Sequence, residues 1–345
     1  MTARQRPNIR DIAQRAGVSP TTVSHALNDA PEARVAAATR LRVQRVAEEM
    51  GYTPNGFARA LRTNRSSALA LLSDVIATTP YAGELVLGAH EAAIQRGYVL
   101  MILNTGNDDD VQERGIMALR RHQVDGVLYA AMSHRILTVP QSLGDVPLVV
   151  VNAQSTDRSH FSVFPDEFDG GYGATRVLLE AGHRRIGFVN TDELIPAHDG
   201  RLDGYRAALA GAGIHFDPSL VADGASDSIG GHGASRRLLA LGEPPTALFC
   251  FNDRMAMGAY RAADEFGLSI PSDLSVVGFD NVEIIAGGIN PPLTTMALPY
   301  YQMGSWAANL VIDRLSGVDR ESEPRQLAMP GHIVARESVA PPRPR

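Results

Sequence analysis

The chain has 345 residues, 44% of them apolar and 20% charged, a globular composition spread over more length than one ordinary core uses. No apolar run approaches the roughly 20 residues that span a bilayer, and the start Met1-Thr-Ala-Arg-Gln-Arg-Pro7 has no signal-peptide core. A cytoplasmic location with no membrane partner is therefore expected. The formal charge of -6 is unevenly spread: residues 1–65 carry 11 Arg against 5 Asp and Glu, leaving the remainder strongly acidic. A basic head on an acidic body is the balance of a phosphate-binding module joined to a body that does not contact DNA. The single cysteine, Cys250, sits in the apolar run Thr246–Phe251 and reads as a buried, inert thiol.

In chain order, Asn8 is placed to cap a helix through Ile9, Ile12, Ala13 and Ala16, with Asp11 at its third position and Gly17 as its stop. Ser19 and Pro20 then open a second helix to Leu27, with Val23, Ala26 and Leu27 turned inward. Two short helices joined by Gly-Val-Ser form a helix-turn-helix pattern. Its outer face offers Pro20, Thr21, Thr22, Ser24, His25 and the following Asn28 to phosphates and base edges. A third helix is predicted from about Arg34 to Met50, with Val35, Val43, Val46, Ala47 and Met50 at helical spacing.

From Ser67 onward, apolar runs alternate with amphipathic stretches, which predicts parallel sheets covered by helices. Strands are expected at Ala68–Leu72, Val99–Leu103, Gly126–Tyr129, Leu148–Val151, Ile186–Val189, Ala247–Cys250 and Ser275–Gly278. Helices are expected at Tyr81–Gln95, Val111–His122, Gly170–Ala181, Leu202–Ala210, Asp253–Phe266 and Tyr300–Leu315. Two such sets make two doubly wound α/β halves, and ligands in such sheets sit outside the strands' carboxyl ends. Gly230-Gly231-His232-Gly233 reads as a loop entering a helix. No dinucleotide fingerprint, lysine-bearing phosphate loop, metal-spaced histidines or catalytic triad is visible, so no cofactor, metal or catalytic residue is expected.

The run Ile9-Arg-Asp-Ile-Ala…Ala16-Gly-Val-Ser…Thr22-Val-Ser…Leu27-Asn, with Thr39-Arg40 and Gly51-Tyr52-Thr-Pro-Asn55, resembles the head-piece of the lac repressor and gal repressor family. The body resembles the same family, and through it the periplasmic sugar-binding proteins. Stretches that carry this are Val124-Asp-Gly-Val, Gly182-His-Arg-Arg-Ile-Gly-Phe, Arg201-Leu-Asp-Gly-Tyr, Asn252-Asp-Arg-Met-Ala-Met-Gly-Ala259, Val276-Val-Gly-Phe-Asp280-Asn281 and Arg336-Glu-Ser-Val. The resemblance implies that Asn55, Ala58, Leu61 and Arg62 belong to a hinge that turns helical on DNA, with Leu61 wedged into the minor groove. It also implies an effector pocket using Arg201, Asn252 and Asp280, with rings from Tyr81 and Tyr300; Asp74 and Asn152, at strand ends, face the same cleft. Ser226 falls where several members carry a stacking aromatic.

The expected organisation is a helix-turn-helix DNA-binding domain (1–53), a hinge and linker (54–66), and two α/β subdomains, 67–164 with 296–325 and 165–295 with 326–340. The expected function is that of a sequence-specific transcriptional regulator, a homodimeric repressor on double-stranded DNA with a near-palindromic operator centred on CpG. A small polar effector, a sugar or sugar derivative, controls it, with a purine or nucleoside corepressor as the alternative. An enzyme is not expected.

Overall fold

A computed structural model describes residues 7–27, 35–52, 65–75, 79, 83–318, 320 and 322–343. The chain forms two compact units, residues 1–66 and 67–345.

In the first unit, α1 (Ile9–Ala16) starts on a capping box: Asn8 accepts from the amides of Arg10 and Asp11, and Asp11 accepts from the amide of Asn8. It ends at Gly17, whose φ of 65° glycine adopts at no steric cost. Helix α2 (Pro20–Leu27) begins with Ser19 Oγ accepting the Thr22 amide at 3.1 Å. Helix α3 (Ala37–Glu49) begins three residues later than the apolar spacing predicts, and Ala36 supplies no side-chain cap. Ile12, Val23 and Val43, all fully buried, lock the three helices together.

The second unit holds two six-stranded sheets of matching order. The first runs β11-β5-β4-β3-β1-β2, built from β1 (Ala68–Ser73), β2 (Val99–Asn104), β3 (Gly126–Leu137), β4 (Leu148–Ser155), β5 (Phe161–Pro165) and β11 (Gln326–Met329). The second runs β12-β10-β9-β8-β6-β7, built from β6 (Ile186–Thr191), β7 (Val221–Gly224), β8 (Ala247–Cys250), β9 (Ser275–Asp280), β10 (Thr294–Ala297) and β12 (His332–Val334). Every pairing is parallel except β10 with β12. The near-continuous apolar runs Leu69–Leu72 and Val149–Val151 follow from strands covered on both faces.

Helices α4 (Gly83–Gln95), α5 (Asp109–Arg121) and α11 (Tyr300–Leu315) cover the first sheet. The second is covered by α6 (Glu167–Glu180), α7 (Pro196–Gly211), α8 (Ser228–Leu239) and α9 (Asp253–Glu265), with the short α10 (Glu283–Ala286) at its rim. The chain passes between the lobes three times, after Pro165, after Ala297 and after Met329, each time within two or three residues.

Two expectations need correction. Gln326–Met329 belongs to the first lobe, because it adds to β5 as a parallel edge strand, with Ser162 N donating to Arg325 O and Asp166 N to Met329 O, both at 2.8 Å. The third passage therefore follows Met329 rather than preceding Gln326, and the second follows Ala297. Gly230–Gly233 lies inside α8, not in a loop, because Asp227 caps that helix through the amides of Ile229 and Gly230. Small residues there let α8 and α9 approach closely: a Cβ on Gly231 would fall 2.3 Å from Met255 O.

Candidate functional site

On α2, Pro20 and Thr21 are exposed and Thr22, Ser24 and His25 half-buried. Thr21 and His25 are four residues apart and share one helix face. Thr22 differs in that its hydroxyl lies 2.9 Å from Ser19 Oγ and helps to hold the start of the helix. Asn28, Asn55, Ala58, Leu61 and Arg62 lie outside the described residues, as does Tyr81 of the expected pocket.

In the body, the carboxyl ends of the two sheets face one cavity. The first lobe contributes Met132, Ser133, His134 and Asn152, with Leu298 from the link back into it and Tyr300 from the start of α11. The second contributes Glu167, Glu193, Ile195, Arg201, Ser226, Phe251, Asn252, Arg254 and Asp280. The volume is about 60 Å³, room for a few waters.

Arg201 is its most enclosed charge, 4% exposed. Gly171 makes this placement feasible, since a Cβ there would lie 2.4 Å from Arg201 O. The guanidinium lies between the rings of Phe251 and Phe279, 4.2 and 3.6 Å from their centroids. Its Nε donates to Glu167 Oε2 at 2.7 Å and its Nη1 to the carbonyl of Phe251. Burial works to raise the Glu167 pKa, but Arg201 and His134 outweigh it and hold the carboxyl below its ordinary range.

Asp280 ends β9 with φ at 100°. It does not cap the helix after it, whose cap position is Val282. Burial pushes its carboxyl up to about 6, against the pull of Arg201 and Arg254. Behind it Asp253 accepts from Thr295 Oγ1 at 2.6 Å and Val282 N at 2.7 Å, and burial with the neighbouring Asp280 pushes it up to about 8.

Asn152, at φ 55°, donates through Nδ2 to the carbonyls of Ala131 and Met132 at 3.0 and 3.1 Å. Asn252 lines the cavity, yet its Oδ1 caps α9 at Met255 N and its Nδ2 donates to Ser226 O. Its oxygen and one of its two amide hydrogens are thus engaged within the protein. Asp74 is not among the residues lining this cavity. Its carboxylate pairs with Arg135, accepts from Met132 N at 3.2 Å, and lines another cavity, of about 310 Å³, with Thr105, Asp108 and Tyr129.

Sequence reading missed Glu167 and His134. His134 sits where β3 and β4 lose register between Ala130 and Arg135, a bulge that carries Ala131–His134 over the cavity. Its ring stacks on Phe164 at 4.7 Å, and its Nδ1 lies 3.3 Å from Glu167 Oε1. Asp166 caps α6 and so seats Glu167 at the first turn.

Residues 8–55 match the family of bacterial regulatory proteins named for lacI, and residues 175–339 match the periplasmic binding protein-like domain. The chain is 34% identical over 336 residues to the HTH-type transcriptional repressor PurR of Yersinia pestis bv. Antiqua (strain Antiqua), covering 96% of each. The chain belongs to the LacI family. It is accordingly a DNA-binding transcriptional regulator with an effector-binding body. Among solved structures, a CelR–cellobiose complex, also a transcriptional regulator, is 33% identical over 96% of this chain and 100% of that one, with a TM-score of 0.69. A putative LacI-family regulator from Rhizobium etli is 32% identical with a TM-score of 0.72, over 80% of this chain and 100% of that one. The lac repressor dimer bound to operator and the anti-inducer ONPF shares the fold, at a TM-score of 0.78 and 24% identity over 97% and 100% of the two chains.

Among the described residues, no helix is long and apolar enough to cross a membrane and no cluster of side chains could hold a metal.

Proposed function

We propose that this LacI-family regulator is a repressor that works in the cytoplasm as a homodimer, and that a sugar or sugar derivative between its lobes controls its grip on a near-palindromic operator. The observation that carries this reading is the polar cavity where the carboxyl ends of both sheets meet, with Arg201 and Asp280 on one wall and Asn152 on the other. At about 60 Å³ the cavity holds less than a sugar ring, so a sugar bound there would favour a wider separation of the lobes, which gives a ligand leverage over the shape of the body. The likeness to a cellobiose-bound regulator supports the sugar class. A purine or nucleoside is the second reading, favoured by the rings of Phe251 and Tyr300 on the cavity wall. The protein acts by binding, not by catalysis.

On DNA, Thr21 and His25 are assigned to base edges, with Leu61 as the wedge at a central CpG step of an operator of roughly 14 to 20 base pairs. Selection from randomised duplexes should recover such a site, and Leu61→Ala should weaken it at least about tenfold with the fold intact. Equal affinity of wild type and variant for the selected site would remove the wedge. A thermal-shift panel of sugars, nucleosides and purines identifies the effector class, since a ligand at about 100 times its Kd stabilises by about 2.7 kcal/mol.

A further inference from the structure

Two polar atoms on the first lobe's side of the cavity are buried without a hydrogen-bond partner: Asn152 Oδ1 and His134 Nε2, in residues 1% and 7% exposed. Both are acceptors. Asn152 has given its amide hydrogens to two backbone carbonyls, which can only accept, so the oxygen is the atom left over. His134 turns Nδ1 toward the Glu167 carboxylate, which also only accepts; in the neutral ring the proton therefore sits on Nδ1 and Nε2 offers a lone pair. A buried acceptor without a partner is costly, so this wall asks its ligand for hydroxyl or amino hydrogens.

On the facing wall, the guanidinium that would otherwise attract an anion is already neutralised. Glu167 takes the Nε hydrogen of Arg201 at 2.7 Å within the protein. The charges lining the cavity are Arg201 and Arg254 against Glu167, Glu193 and Asp280, which leaves no surplus of positive charge for a carboxylate or phosphate.

We propose that Glu167 sets the charge selectivity of this cleft: by cancelling Arg201 and fixing His134 as an acceptor, it selects an uncharged or amino-bearing polyol and rejects its acidic and phosphorylated forms. This rests on the cleft being the effector site. Neutral pentoses, hexoses and disaccharides, their uronic acids, their phosphates and their amino sugars form the probe panel, read by thermal shift and then calorimetry on the full chain. Neutral or amino members should stabilise the wild type, and the matching acid or phosphate should bind at least tenfold more weakly. Glu167→Gln leaves Arg201 uncompensated and should move the acid-to-neutral affinity ratio toward the acid by at least tenfold, whereas Glu167→Asp, which keeps the charge, should retain the wild-type order. Nitrogen-15 spectra of the histidines supply a readout that does not depend on the variant folding: His134 should carry its proton on Nδ1. A wild type that prefers the acid or phosphate, a ratio unchanged in Glu167→Gln, or a proton on Nε2 of His134 would overturn the proposal. Failure of the cleft reading is separate: it would show as sugar binding that Asp280→Ala leaves untouched.

Discussion

Arg201→Ala should cost the body about 3–5 kcal/mol of stability and abolish measurable effector binding. The loss comes less from the contacts Arg201 makes than from what its removal leaves behind. Glu167 is almost fully enclosed and ionised only because Arg201 and His134 oppose the cost of burying it. Without the guanidinium that carboxylate must either stay charged in a poor solvent or take up a proton. The sign of the pH dependence follows. In the wild type Glu167 has a lowered folded pKa, so its stabilisation is present above its unfolded value and is lost as pH falls through the folded one. In Arg201→Ala its folded pKa should rise above the unfolded value, so the deficit should be largest at neutral pH and shrink toward pH 5. Adding Glu167→Leu to Arg201→Met, which removes both charges, should recover most of the loss. Thermal denaturation of the three proteins at pH 7 and pH 5 checks this; a deficit independent of pH and not relieved in the double variant would mean that cavity formation dominates.

Effector affinity should fall toward about tenfold per pH unit as pH drops below 6, and stay level above it. Asp280 is the group responsible. Burial raises its carboxyl to about 6, while Arg201 and Arg254 pull it down and Glu167 pushes it up. As a proposed ligand contact, Asp280 offers ligand hydroxyls two acceptor oxygens above that value; below it, a proton occupies one of them and the second-lobe wall loses an acceptor. The same raised pKa means that Asp280 itself contributes to stability at low pH and that this contribution is lost as pH rises through about 6. Asp280→Asn cannot titrate, so its affinity, weaker at neutral pH, should be flat where the wild type changes. Calorimetry from pH 5 to 8 measures both profiles, and a wild-type slope that persists in Asp280→Asn would assign the titration to another group.

The sequence revealed the elements whose patterns are local. Asn8, Gly17, Ser19 and Pro20 punctuate the helix-turn-helix, and long apolar runs mark β1 and β4 because both faces of those strands are covered. Arg201 and Asp280 were legible through the motifs around them. What escaped depends on distant partners. Gln-Leu-Ala-Met329 has no strand pattern of its own and pairs only because β5 offers an edge. His134 reaches the cavity through a register shift against β4 that no spacing within residues 126–137 records. Glu167 reads as an ordinary acidic first-turn residue; its role exists only because α7 carries Arg201 past Gly171. Asn252 and Asp74 show the reverse, since side chains that look free in sequence are engaged in part by a helix cap and by Arg135.

In the proposed function, one ligand held between the lobes changes operator affinity. It can do so only by binding the two arrangements of the body differently, and couplings of this kind run from about 5-fold to 150-fold. Operator binding by fluorescence anisotropy, with and without saturating effector, in wild type and in Asp280→Ala, tests it most directly. A shift of that size in the wild type, lost in Asp280→Ala while its affinity for operator without effector is unchanged, is the predicted result. A shift of equal size in both proteins would contradict it.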